Sequence, residues 1–256
     1  MPLLLAVPAH AQGEPRVSGF FSLGALSGPD YEGSDDSTIG PLLAARLGYG
    51  SNYVETATLG GGIGLRVNLS PWPAAEFGPV VALRRGRSDA DNARVKRLDE
   101  VDDAVEAGAF LRLPFRGLLT ARDEAAIELQ VLQDASSAHD GTLFTFGGSY
   151  RFSPVARLRV GLTTVATYAS DDYTETHFGI DARNAAASGL PAFSAGGGIK
   201  DVALSLTANY ELTPNWGLVG VLGYRRLLGS AADSPIVRRE GNENQFSFGL
   251  GISYGF

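Results

Sequence analysis

Hydrophobic and polar positions alternate with a period of two along most of the chain. Phe246, Phe248, Leu250, Ile252, Tyr254 and Phe256 are interleaved with Gln245, Ser247, Gly249, Gly251, Ser253 and Gly255, so one face is large and apolar and the other small or polar. Val202, Leu204, Leu206, Ala208, Tyr210 and Leu212 alternate with their neighbours in the same way, as do Leu158, Val160, Leu162 and Tyr168. This is the signature of strands, because successive side chains on a strand point to opposite faces. Helical signals are weak, since glycine interrupts nearly every apolar stretch and few windows carry amphipathic i, i+3, i+4 spacing. The pattern predicts strands near 17–26, 39–49, 53–59, 63–69, 75–87, 104–115, 121–133, 142–152, 156–168, 201–212, 215–228 and 245–256. The hairpin 53–59/63–69, split at Gly60-Gly61-Gly62, is required by parity: the chain passes from a turn near Gly50 to another at Ser70-Pro71, which takes an even number of crossings. The fold expected is therefore an all-β, transmembrane antiparallel up-and-down β-barrel of about twelve strands, with ten if that hairpin does not span.

Alternation alone does not separate a soluble sandwich from a barrel that is apolar outside. Strand length does, because soluble strands average five or six residues whereas about ten tilted residues cross a bilayer. The polar face combines Gly and Ser with Arg66, Glu106, Arg112, Glu128, Arg151, Arg157, Arg159, Glu211 and Arg225, candidates for charges that pair inside a narrow lumen. Aromatics sit beside short Pro-containing turns, at Trp72, Phe152, Tyr210 and Trp216, as in an interfacial girdle. The alternating strand ending in Phe256 matches the C-terminal signal by which outer-membrane chains are understood to engage the barrel-assembly machinery. Phe246, Phe248, Leu250, Ile252, Tyr254 and Phe256 are the candidate assembly signal. Longer, charged connections at 27–38, 88–103, 134–141, 170–200 and 229–244 read as outer loops, and the short turns as periplasmic.

Composition narrows the picture further. The 256 residues carry a net charge of −7, too acidic for a phosphate-backbone ligand, so nucleic acid is not an expected partner. Residues 1–11 resemble an export signal ending in Ala9-His10-Ala11 but lack its basic n-region; this places the true start upstream and leaves 12–256 as the barrel domain. No cysteine is present, which excludes thiol chemistry and suits a fold closed by its own hydrogen bonds. His139 and His177 fall in predicted outer loops and read as solvated surface groups, so no catalytic residue is assigned and the chain is read as a non-enzyme without cofactor. Asp30, Glu32, Asp35 and Asp36 lack the ligand spacing of a calcium loop, and no metal site is assigned. The basic and acidic run from Arg84 to Asp103 reads as a solvated surface, with lipopolysaccharide phosphate binding or folding over the barrel mouth as alternatives.

Several segments together resemble the MipA/OmpV family of outer-membrane proteins. They are Gly28–Asp36, Gly78-Pro79 leading to Arg84-Arg85-Gly86-Arg87, Val105-Glu106-Ala107-Gly108, Ser188-Gly189-Leu190-Pro191 running to Asp201, and Tyr224–Val237, followed by the C-terminal Phe. The resemblance implies a Gram-negative cell outer membrane location and contact with lipid and lipopolysaccharide. It also implies a scaffold role, an adaptor between a lytic transglycosylase and a penicillin-binding protein, and it brings no catalytic residues. The short turns around Trp72, Phe115, Pro154 and Pro214 offer little area against the roughly 800 Å² per partner of a standard interface. A small-solute channel or ligand-binding barrel is the alternative function.

Overall fold

A computed structural model describes residues 17–57, 62–88 and 90–256. Twelve strands close into one antiparallel barrel in which each strand pairs with its sequence neighbour and β1 pairs with β12. They are β1 (Val17–Pro29), β2 (Ser37–Tyr49), β3 (Asn52–Ala57), β4 (Ile63–Asn68), β5 (Glu76–Arg84), β6 (Ala104–Arg116), β7 (Glu124–Asp134), β8 (Thr142–Val155), β9 (Leu158–Ala169), β10 (Gly198–Glu211), β11 (Trp216–Leu227) and β12 (Asn244–Gly255). The expected twelve strands are present, including the short β3–β4 hairpin; the predicted export signal and Gly60-Gly61 lie outside the described residues. Closure leaves no free sheet ends at the β1/β12 seam, where Gly19 and Phe256 exchange two backbone hydrogen bonds of 3.0 and 3.1 Å.

The barrel is apolar outside. Leu23, Leu43, Leu65, Val81, Leu83, Leu129, Phe146, Leu204, Phe246, Phe248, Leu250 and Ile252 are exposed, and their strand neighbours of opposite phase face inward. A soluble fold would bury such residues; hydrocarbon is the medium that suits them. Gly24 and Gly251 are register partners, and a Cβ at Gly24 would lie 2.0 Å from the Leu250 carbonyl oxygen, so the first and last strands meet through backbone alone at this level.

The ends of the barrel differ. Short turns join the strands at the end where β1 begins and β12 finishes, whereas the opposite end bears loops that pack into a cap. The region expected as loop 170–200 contains α1 (Asp171–Phe178) and α2 (Ala182–Ser188), and the last long loop contains α3 (Gly229–Asp233) and α4 (Pro235–Glu240). Their signals are local: Asp171 and Asp172 occupy the positive end of α1, and the Asp181 carboxylate caps α2 by accepting from the Asn184 N–H at 2.7 Å. Gly189 ends α2 in the left-handed region, at φ 74°. Two apolar clusters hold the cap together. Tyr31, Val95, Leu98, Ile180, Leu190 and Ile236 form one; Leu143, Tyr173, Phe178, Leu227, Ala231 and Val237 form the other. The charged run that reads as solvated surface in the sequence thus folds over the barrel mouth.

Candidate functional site: the charged lumen

Inward-facing charges gather in two layers. The layer nearer the turn end spans β2 to β8 and is laid out by strand register, which sets opposite charges directly across from one another: Arg46 against Glu55, Glu55 against Arg66, Glu76 against Arg112, Arg112 against Glu128, and Glu124 against Arg151. Cross-strand neighbours of opposite sign attract, and in a confined lumen they have little water to compete with. Arg66 binds Glu55 at 2.6 Å and also Glu128. Arg112 reaches Glu76 at 2.8 Å and Glu124 at 2.5 Å, and the Tyr53 hydroxyl donates to Glu76 at 2.7 Å. Arg46 pairs with Glu55 at 2.9 Å and lies 3.6 Å from the centroid of the Tyr53 ring.

The second layer lies beneath the cap. Arg84 and Glu106 form a two-pronged pair, Nε to Oε1 at 2.6 Å and Nη2 to Oε2 at 3.0 Å, with Glu106 fully buried. His139 Nδ1 accepts from the Gly141 N–H at 3.0 Å, which leaves Nε2 as the donor toward Glu106 Oε1 at 3.2 Å. From the β1–β2 loop Glu32 reaches down to Lys200, to Arg225 at 3.2 Å, and accepts from the Tyr173 hydroxyl at 2.8 Å. Lys200 also binds Asp201 at 2.6 Å. Consecutive strand residues cannot ordinarily share a face; a register shift between Ile199 and Asp201 makes it possible here.

Groups in the cap carry the electrostatic imprint of this burial. Desolvation alone would raise the Glu32 carboxyl, but Lys200 and Arg225 outweigh it and hold the group well below the usual carboxylate range. Burial pushes the His177 imidazole down to about 3, keeping it neutral. Burial likewise raises the Tyr173 phenol well above its ordinary value and lowers the Arg87 guanidinium to about 10. Tyr173 and His177 stack at 4.1 Å between centroids, and His177 Nδ1 donates to the Tyr173 carbonyl at 3.0 Å.

Among the sequence-predicted lumen charges, Arg66, Glu106, Arg112, Glu128 and Arg225 occupy these layers. Arg151 sits near the turn end, 3.6 Å from Glu124. Arg159 and Glu211 pair with each other at that rim, both more open to solvent than the inner network. Arg157 departs from the expectation: it occupies the β8–β9 turn with φ 69° and is exposed, because the strand breaks at Ala156. The two histidines also differ from their expected solvated state, at 3% and 8% exposure, because their loops pack into the cap. Glu32, Glu55, Glu76, Arg84 and Lys200 were missed. The first is in a loop, and the others become inward-facing partners only once register is known. Among the described residues no group of three or more His, Cys, Asp or Glu side chains is placed to hold a metal ion.

A closed, apolar-coated, antiparallel barrel with paired charges inside defines an outer-membrane β-barrel protein. Residues 21–256 match the family model described as "MltA-interacting protein MipA", and the chain belongs to that family. It is 26% identical over 260 residues to a protein of Escherichia coli O157:H7 described as "Putative outer membrane protein YiaT", covering 99% of this chain and 96% of that one. Among solved structures it is similar to an outer membrane channel of Pseudomonas putida F1, with TM-score 0.46 and 12% identity over 98% of this chain and 97% of that one. It is also similar to OmpT, an outer membrane protein of Vibrio cholerae, with TM-score 0.43 and 8% identity over 98% and 100% of the two chains. The protein is an outer-membrane barrel.

Proposed function

We propose that this protein acts as a closed structural and interaction barrel linked to peptidoglycan-remodelling enzymes, and not as an open solute pore. The observation that carries the reading is that the inward-facing charges are paired with one another, in layers spanning β2 to β8 and β5 to β11, under a cap whose apolar clusters are buried. A charged pair removed from water and hydrogen-bonded on both sides is costly to pull apart, so solute passage through these layers requires breaking them. Support for a partner at the turn end comes from Leu118 and Leu119, which are 58% and 81% exposed at the tip of the β6–β7 turn. Asp123 fixes that tip by accepting from the N–H groups of Leu118, Leu119 and Thr120, each at 2.8 Å. A rigid apolar tip presents contact area without an ordering cost on binding. The family description names an interaction with MltA, which makes a lytic transglycosylase the first partner to test, together with a penicillin-binding protein.

A small-solute channel or ligand-binding barrel is the second reading. It is favoured by Gln130 Oε1 and Thr167 Oγ1, buried on the lumen wall with no partner among the described residues. Planar-bilayer recording of the refolded barrel separates the two. Insertion without current, together with recovery of a peptidoglycan enzyme on the purified protein that is lost in Leu118→Ser/Leu119→Ser, is the expected result. Steady openings in the unmodified barrel would overturn the closed-scaffold reading.

A further inference from the structure

Charge is divided unevenly between the two ends of the barrel. The chain is acidic as a whole, but much of its acid lies in the cap: residues 27–38 hold Asp30, Glu32, Asp35 and Asp36 with no lysine or arginine, and residues 134–141 hold Asp134 and Asp140 with none. One side of the turn end is the reverse. Residues 116–124 and 151–159, which lead β6 into β7 and β8 into β9, carry Arg116, Arg122, Arg151, Arg157 and Arg159 against Asp123 and Glu124 alone. Asp123 is occupied within its own turn, where it holds three backbone N–H groups and accepts from the Tyr150 hydroxyl at 2.8 Å.

Strand register brings these arginines together. Arg116 lies across from Glu124 and Glu124 across from Arg151, so the three share one level, and a single carboxylate faces both guanidinium groups at 3.1 and 3.6 Å. The same carboxylate is also held by Arg112, at 2.5 Å. On β9 Arg159 pairs with Glu211 yet keeps 74% of its side chain exposed. Arg122 and Arg157, in the two turns, are exposed and make no ion pair among the described residues. Positive charge is therefore in excess along an arc from β6 to β9, roughly 15 Å across at about 4.8 Å per strand. Arg116, Arg151 and Arg159 have the inward phase of Arg112, Thr145 and Thr167, whereas Phe115, of opposite phase, is exposed on the outer wall. The arc thus faces the mouth of the lumen and the water beyond it, not the bilayer.

From these features we infer that the turn-end arc of Arg116, Arg122, Arg151, Arg157 and Arg159 is a docking surface for the peptidoglycan polymer, whose free peptide carboxylates it binds. The inference rests on the peptidoglycan-linked reading above and adds the polymer to the enzymes named there. Short turns face the periplasm in barrels of this kind, which puts the arc on the side where that polymer lies. Guanidinium groups match carboxylates through paired N–H donors. An extended polyanion engages several arginines in a row, where one small anion would leave most of the arc unmatched. The inward phase of three of the five sets anionic lipid headgroups aside. The acidic cap repels the same polymer, so attraction is confined to one end of the barrel. Leu118 and Leu119 rise from the same β6–β7 turn, so an enzyme held by that apolar tip would meet the polymer it acts on beside it.

The test is co-sedimentation of the folded barrel, in nonionic detergent, with protein-free peptidoglycan sacculi. Binding should fall as salt rises, because exposed charges are screened over about 8 Å at physiological ionic strength. It should be lost with sacculi whose carboxyl groups have been amidated, and be roughly tenfold weaker for Arg122→Glu/Arg157→Glu. Arg238→Glu/Arg239→Glu makes the same change of charge in the cap and should bind as the unmodified barrel does. If the turn-end reversal gives no heat-modifiable barrel, Arg122→Gln/Arg157→Gln removes the charge alone and should weaken binding by a smaller factor. No sedimentation of the unmodified barrel, equal binding to intact and amidated sacculi, undiminished binding by the turn-end variants, or an equal loss with the cap variant would each overturn the proposal. Recovery of a peptidoglycan enzyme that depends on Arg122 and Arg157, with sacculus binding unchanged, would assign the arc to a protein partner instead. Sacculus binding that needs these arginines while no enzyme is recovered would uphold the arc and remove the scaffold reading, so the two fail separately.

Discussion

Acidification is expected to loosen the cap before it touches the barrel, and His177 sets the size of the effect. Its imidazole is held neutral by burial, at about 3 against an ordinary value of 6.5. The groups that face it are Tyr173 by stacking, His139 at 5.5 Å between ring centroids, Arg87 through the His177 carbonyl, and the field of Glu32 and Arg84. A cap-open state exposes the ring and returns it to its ordinary value, so below pH 6.5 the open state binds a proton that the closed state refuses. Stability of the closed cap is therefore complete above pH 6.5 and falls as pH drops toward 3. From neutral pH down to 4.5 the loss is about 2–3 kcal/mol, at about 1.36 kcal/mol per pH unit below 6.5, or on the order of a hundredfold in the opening constant. Hydrogen exchange of the amides in 171–188, followed from pH 7 to 4.5 and corrected for intrinsic rates, reads the opening directly. His177→Gln, which keeps a polar group of similar size but does not titrate, should flatten the profile. A His177→Gln profile as steep as that of the unmodified protein would refute the reasoning.

Further outcomes follow from other contacts. Glu106→Ala removes a carboxylate that Arg84 holds at 2.6 and 3.0 Å and that His139 also contacts, and should lower the urea midpoint of the folded barrel by more than Arg159→Ala at the open rim, which should cost under about 1 kcal/mol. Asp123→Ala frees the N–H groups of Leu118, Leu119 and Thr120 and should raise protease cutting within 117–123 without changing strand content by circular dichroism. Phe256→Ala should reduce the amount of heat-modifiable barrel formed in cells while leaving refolding from urea into detergent largely intact. Equal loss in both settings would assign Phe256 a purely structural role. Glu32→Gln should accelerate exchange in 171–178 at pH 7, since Lys200 and Arg225 lose one of the two carboxylates they share, Asp201 being the other, and Tyr173 loses a charged acceptor.

The barrel was legible in the sequence because hydrocarbon enforces period two on every strand, and even the short β3–β4 hairpin could be inferred from the parity of crossings. What escaped was whatever depends on register or on loop packing. The charges opposite one another in the lumen were half recognised, because Arg46, Glu55 and Glu76 acquire partners only when seven strands are aligned. Lys200 was hidden because a bulge breaks the very alternation used to find inward positions. The helices of the cap are five to eight residues long, too short for a periodic signal, and their caps at Asp181, Ser234 and Gly189 are visible only singly. His139 and His177 were misjudged for the same reason: burial in a cap made of loops leaves no hydrophobic pattern in either neighbourhood.

Pairing of β1 with β12 has a kinetic consequence. Phe20 meets Gly255 and Ser27 meets Phe248, so the contacts that complete the wall join the two ends of the chain. The other ladders link sequence neighbours and can zip locally, but the last one carries almost the whole chain as its loop, with the entropy that such a loop implies. Until it forms, the backbone of β1 and that of β12 each present a row of unpaired amides that lipid cannot satisfy. Truncation anywhere in the last strand therefore removes the closing step itself, and the chain would be left as an open, partly inserted sheet exposed to proteolysis instead of a slightly smaller barrel.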